Sequence, residues 1–168
     1  MPNRPNKLIG AFTVVEALVA LAVVSILLVA VAVAFNASAI NYRENNDIFK
    51  AVNGARQALF RITTQLRTAD AVNPDALTNE CSLITAGGED ITFRYNSADK
   101  KLYLVTNDDL TDDDYVLCNN VTAMTFTKDT VTEGSQTKVK SVQISITVAA
   151  GDTQRMVSAA AVIRRNLN

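Results

Sequence analysis

Few residues in this chain can do chemistry, and what is absent narrows the field first. Histidine does not occur among the 168 residues, which removes the commonest general base, the commonest transition-metal ligand and the usual proton switch near neutral pH. The two cysteines, Cys81 and Cys118, form no CxxC pair and no cysteine–histidine set, so neither zinc nor a CxxC redox centre is expected. Two readings remain for them: one disulfide made in an oxidising compartment, or two unrelated buried thiols. Export of the C-terminal part favours the disulfide, and closing a loop of that length would contribute about 3–4 kcal/mol in the chain-entropy model. No serine stands in a nucleophile-elbow context, and neither cysteine has a recognisable base. No enzymatic activity and no cofactor are expected.

Carboxylates gather in one place. The run Asn107-Asp108-Asp109-Leu110-Thr111-Asp112-Asp113-Asp114 carries five acids that could approach a calcium ion. It lacks the glycine and the distal bidentate glutamate of an EF-hand loop, so a solvated acidic loop is the simpler reading and no metal is expected. Lys138, Lys140, Arg164 and Arg165 are basic, but no aromatic stacking platform accompanies them. A net charge of −1 supplies no field that would draw in nucleic acid. One further carboxylate, Glu16, stands by itself at the head of a long apolar run.

That run, from Ala17 to Phe35, reads ALVALAVVSILLVAVAVAF, with Ser25 its one polar side chain. About 19 such residues suffice to span a bilayer as a helix. Arg4 and Lys7 precede it, and after Glu16 the next charges are Arg43 and Glu44, which cancel. The positive bias of the leading flank places the N-terminus in the cytoplasm and the rest outside. A cleaved secretory signal is the alternative, although its apolar core is usually only about 7–15 residues. A carboxylate in an apolar span costs about 2–3 kcal/mol at the membrane centre and less near the interface. The positive end of the helix macrodipole offsets part of that cost.

The segment Gly10-Ala11-Phe12-Thr13-Val14-Val15-Glu16-Ala17-Leu18 resembles the cleavage and methylation motif of type IV prepilins and type II secretion pseudopilins. That family has a short basic leader and a small residue, usually glycine, before the cut. A phenylalanine, a hydroxyl residue, two aliphatics and a glutamate then lead into a membrane helix. Thr13, Val14, Val15 and Glu16 fill those places. Counting back from Glu16 puts the cut between Ala11 and Phe12, making 1–11 the leader; a cut after Gly10, leaving Ala11 first, is the other choice. The former keeps the spacing between the new amine and Glu16, and alanine is the smallest step from glycine. The resemblance implies N-methylation of Phe12, pairing of its amine with Glu16 of a neighbouring subunit, and three kinds of partner: other pilin or pseudopilin subunits, prepilin peptidase and an inner-membrane assembly platform. It also implies an inner-membrane, single-pass chain with a periplasmic or extracellular head, later carried in a pilus or pseudopilus. The alternatives are a signal-anchored envelope protein that binds a ligand, and a DNA-uptake pilin.

Beyond the assembly helix of 12–40, an amphipathic helix is expected over 41–70. Ile48, Val52, Ala55, Leu59, Ile62 and Leu66 recur at alternating spacings of four and three, one stripe on a helix. The repeat lasts barely three heptads, so the chain's own sheet is a better cover for it than a coiled-coil partner. A helix from Thr13 to Thr68 would be roughly 80 Å long. Major pilins of the family often carry a kinking proline in the membrane half; this chain has none there, which predicts a straight helix and a minor subunit. After Pro74 the period changes to two. Ile91–Tyr95 and Lys101–Val105 predict a hairpin, Val121–Lys128 a strand, and Val142, Ile144, Ile146 and Val148 against Gln143, Ser145 and Thr147 another. A turn at Gly151-Asp152 leads to Met156–Ile163. The expected fold is α+β, a long N-terminal helix laid on one antiparallel meander sheet over 80–165. The ending Ala161-Val162-Ile163-Arg164-Arg165-Asn166-Leu167 is similar to the ends of W-type minor pilins and of minor pseudopilin J.

Overall fold

The computed structural model describes residues 12–108 and 114–164, and the chain divides into two compact units, 1–43 and 44–168. Helix α1 runs from Val14 to Thr68, 55 residues without a break. It starts one residue after the expected position and ends at the expected one. Proline is absent from this stretch and Gly54 is its one strong helix weakener, so nothing removes an amide from the hydrogen-bond ladder.

In the first unit every described residue from Phe12 to Ser38 is exposed. The helix there is long and apolar enough to cross a membrane.

In the second unit the helix meets two sheets, both antiparallel meanders. The first has strands β1 (Ala71–Val72), β2 (Glu80–Ile84), β3 (Asp90–Asn96), β4 (Lys101–Thr106) and β5 (Tyr115–Cys118), side by side in chain order. The second has β6 (Val121–Glu133), β7 (Gln136–Ala150) and β8 (Thr153–Val162), again in chain order. The single sheet expected from the alternation is therefore corrected to two. The break falls at Asn119-Asn120, where Asn120 takes a positive φ of 59°, a conformation asparagine tolerates better than most residues. The chain turns out of β5 there and opens β6 in a new sheet. Backbone bonds tie β6 to the loops of the first sheet: Val121 N–H donates to Lys100 O at 2.9 Å and Phe126 N–H to Thr78 O at 2.8 Å.

The expected hairpin is present as β3 and β4, with Phe93 opposite Leu104 and Tyr95 opposite Leu102. The alternation on β7 is also present: Val142, Ile144, Ile146 and Val148 are buried while the residues between them are partly or fully exposed. A bulge between Asp129 and Thr130 shifts the pairing so that Val139, three residues before Val142, is buried as well. An extra residue in one strand reverses which face the following side chains point to. At the β7–β8 turn Gly151 has a φ of 56°, a left-handed conformation that suits glycine in a two-residue hairpin loop.

The core joins helix and sheets. Ala51, Ala55, Ala58, Leu59, Ile62 and Leu66 of α1 pack with Leu83, Phe93 and Leu102 of the first sheet and Phe126, Val142, Ile144 and Ile146 of the second. The predicted stripe is thus the buried one, though Ile48 and Val52 at its start are only half-buried. The alanines let the helix backbone approach the sheets, and Phe93 and Phe126 fill the space beneath. The Arg61 guanidinium lies 5.4 Å from the centre of the Tyr115 ring, a cation–π contact between α1 and β5.

Ile62 is fully buried, whereas Phe60, two residues earlier, is 75% exposed. Ile62→Ala should cost about 2–5 kcal/mol of stability and Phe60→Ala less than about 0.5 kcal/mol, measured by urea unfolding of the full chain in detergent.

Candidate functional site

The chemistry anticipated at the start of the chain falls on the first turn of α1. Thr13 is the helix N-cap. Its Oγ1 accepts the Glu16 N–H at 3.2 Å, and its carbonyl accepts the Ala17 N–H at 3.2 Å. A hydroxyl at the N-cap satisfies one of the four amides that the first turn leaves without partners. The sequence Thr13-Val14-Val15-Glu16 is a capping-box pattern, a signal legible in the residues alone. Thr13 therefore fixes where the helix begins, and Glu16 sits three residues in, where the positive end of the macrodipole stabilises a carboxylate by about 0.3–1 kcal/mol.

Among the described residues the Glu16 carboxylate has no hydrogen-bond or ion-pair partner; the one salt bridge is between Arg94 and Asp114. Around and beyond it the surface is aliphatic, with Phe12, Val14, Leu18, Leu21 and Phe35 all exposed by more than 60%. Ser25, the one polar residue of the run, donates its hydroxyl to Leu21 O at 2.7 Å and so carries no unsatisfied group into an apolar medium. Phe12 lies immediately before the cap. Gly10 and Ala11, the other residues of the expected cleavage site, lie outside the described residues.

The disulfide expectation is corrected. Cys81 and Cys118 are both free and buried. Cys81 is on β2 and Cys118 on β5, with β3 and β4 between them. Three inter-strand spacings of about 4.8 Å amount to roughly 14 Å, well beyond the Cα separation of about 4.4–6.8 Å that a disulfide needs. Burial pushes both thiols up to about 11; at Cys81 the nearby Lys128 ammonium opposes part of that rise. The other reading, two unrelated buried thiols, is the one the fold contains. Cys118 also gives Gly54 a packing context, because a Cβ at Gly54 would lie 3.7 Å from its Sγ, an ordinary contact that alanine could make.

The acidic run is divided. Asp108 Oδ2 accepts the Asp90 N–H at 2.9 Å, and Asp114 Oδ2 binds Arg94 Nη2 at 2.8 Å. These two carboxylates hold the ends of the loop onto β3. Asp109, Asp112 and Asp113 lie outside the described residues. Among the described residues no three histidine, cysteine or acidic side chains are grouped to hold a metal. Of the basic set, Lys138 and Lys140 are on β7 and Arg164 follows β8; Arg165 lies outside the described residues.

Grooves lie beside the helix in the second unit. One of about 500 Å³ is lined by Asp47, Lys50, Gly54, Cys118, Asn120 and Gly151 among others. Another, of about 400 Å³, runs between α1 and β8. Comparison with known protein families, with curated proteins and with solved structures returns no match.

Thiols with pKa values near 11 are almost wholly protonated at pH 8, and the thiol form does not alkylate. The native chain should resist iodoacetamide at pH 8, and reaction should accelerate as the pH approaches 11. Unfolding in urea without reductant should allow two alkylations, read by mass. Alkylation that requires prior reduction would show a bridge instead.

Proposed function

We propose that this chain is a minor pilin or pseudopilin subunit, structural rather than catalytic, that helps prime filament assembly near the tip. The observation that carries this reading is the exposed apolar surface from Phe12 through the first half of α1, with one unpartnered carboxylate in the first turn of that helix. Such a surface is stable only in lipid or against similar helices. An ionised carboxylate within it is costly unless a cation is supplied.

The processing motif names that cation. Prepilin peptidase would cut between Ala11 and Phe12 and leave an α-amino group that is positive at neutral pH. Methylation would keep the charge. The amine of one subunit then meets Glu16 of the next as helices pack side by side in a staggered array, joined through an inner-membrane assembly platform. The Thr13 cap supports this role. It holds Glu16 in a fixed helical position relative to residue 12, so the donor and acceptor ends of each subunit are set by one turn of helix. Because desolvation offsets most of the Coulomb gain of a buried pair, the contact fixes axial register more than it adds stability. The layout of a long helix with a sheet-bearing head is pilin-like, and the head would lie on the periplasmic or extracellular side.

The test is Glu16→Ala in cells with a working assembly system, with Glu16→Gln beside it. Both variants should insert and lose the leader normally, then fall at least tenfold in the sheared filament fraction, since an amine left unpaired in an apolar core costs about 3–5 kcal/mol. Incorporation at the parental level would contradict the proposal.

A further inference from the structure

Among the described residues the outer edge of the second sheet is open. Strand β8 pairs with β7 on one side, and among the described residues no strand pairs with its other side in the order β6-β7-β8. Which of its backbone groups face outward can be fixed from two bonds. Ile163 N–H donates to Lys140 O across the β7–β8 ladder at 3.0 Å, and Ala149, opposite Gln154, sends its N–H the other way, to Asn120 O at 3.0 Å. Orientation alternates along an antiparallel strand. Gln154, Met156, Ser158, Ala160 and Val162 therefore turn their N–H and C=O groups to the open edge.

Edge strands are normally shortened, bulged, charged or covered. The edges of the first sheet follow that rule, with β1 two residues long and β5 four. The far edge of the second sheet, β6, carries Lys128 and Asp129, two bulges, and the bond to Thr78 O. Among the described residues β8 has, apart from the single charge of Arg155, none of these devices. It runs ten residues in unbroken register, Arg155 is its one charged residue, and Met156 is 69% exposed.

Beside this edge lies the 400 Å³ groove, lined by Ile48, Phe49, Val52 and Arg56 of α1 and by Arg155, Met156 and Val157 of β8. Phe49 is 63% exposed. Among the described residues neither Arg56 nor Arg155 has a carboxylate partner; Arg155 bonds only the Gln154 carbonyl.

We propose that β8 is a docking edge for an extended strand of a partner protein, which adds as a fourth strand to this sheet. The partner strand would place aliphatic side chains between β8 and α1 and a carboxylate against Arg56 and Arg155. Main-chain bonds to the outward groups of Gln154, Met156, Ser158, Ala160 and Val162 supply affinity, while the groove and its two guanidinium groups select the sequence. A second copy offering its own β8 is a poor occupant, because it would bring further arginine and no acid. The inference does not rest on leader cleavage or on filament assembly.

The test uses the full chain in detergent and a labelled ten-residue peptide of alternating threonine and valine, with one valine replaced by glutamate, followed by fluorescence anisotropy. Expected is saturable binding, at least tenfold weaker when lysine replaces the glutamate and at least tenfold weaker when alternate amides are N-methylated. Ser158→Pro removes an outward N–H while sparing the β7–β8 ladder and should weaken binding at least tenfold. The double variant Arg56→Glu with Arg155→Glu should reverse the preference in favour of the lysine peptide, a gain that a misfolded protein could not give. Binding indifferent to N-methylation, an unchanged charge preference in the double variant, or binding of dihexanoyl phosphatidylglycerol in place of the peptide would overturn the proposal. So would a dimer through β8 that excludes the peptide.

Discussion

A single carboxylate on an aliphatic helix surface is the constraint on which the rest depends. Between Lys7 and Arg43 the chain carries one charge, Glu16, and the surface around it is mostly apolar and exposed along the first half of α1. Near the helix start the macrodipole and a wet interface keep that charge tolerable. Once helices pack against each other and exclude water, those supports weaken and a counter-ion is needed. A chain that supplied its own cation would be self-sufficient. Under the proposed reading this one makes the cation by cleavage, four residues from the carboxylate, and offers it to the neighbouring helix as the subunits pack.

The head solves a separate problem with the same helix. From Ala51 onward one side of α1 is alanine-rich and buried against two sheets, and the small side chains bring the helix close enough for Phe93 and Phe126 to close the core. Two sheets rather than one give the helix a wider bed, at the cost of a break that Asn119-Asn120 accommodates with a positive φ. The buried thiols belong to this packing. With β3 and β4 between them, Cys81 and Cys118 contribute as small apolar side chains and not as a crosslink. Burial around α1 carries the head's core without a crosslink between the two cysteines, while β8 is left at the surface beside an apolar groove.

Much of this was legible in the residues because period is a local property. The 3.6-residue stripe from Ala55 to Leu66 and the alternation from Val142 to Val148 each mark one buried face, and both faces are buried as expected. The helix end at Thr68 and the Gly151-Asp152 turn followed from residue chemistry in the same way. What depended on long-range pairing was not legible. Strand β5 hid behind the acidic run that precedes Tyr115, and β1 is two residues long. The division into two sheets turns on the backbone of Asn120, and the separation of the cysteines turns on strand order, which composition does not encode. At the N-terminus the residue types carry the carboxylate, the hydroxyl and the capping-box spacing between them, and the Thr13–Glu16 bond places the hydroxyl at the helix cap.

Under the proposed function a new amine is created at Phe12 as the counter-charge for Glu16. It is read from the mass of the mature chain and of its N-terminal peptide, recovered from cells that contain a prepilin peptidase. The chain should begin at Phe12, with its amine free or methylated. An intact Met1, or a start beyond the apolar run, would contradict it.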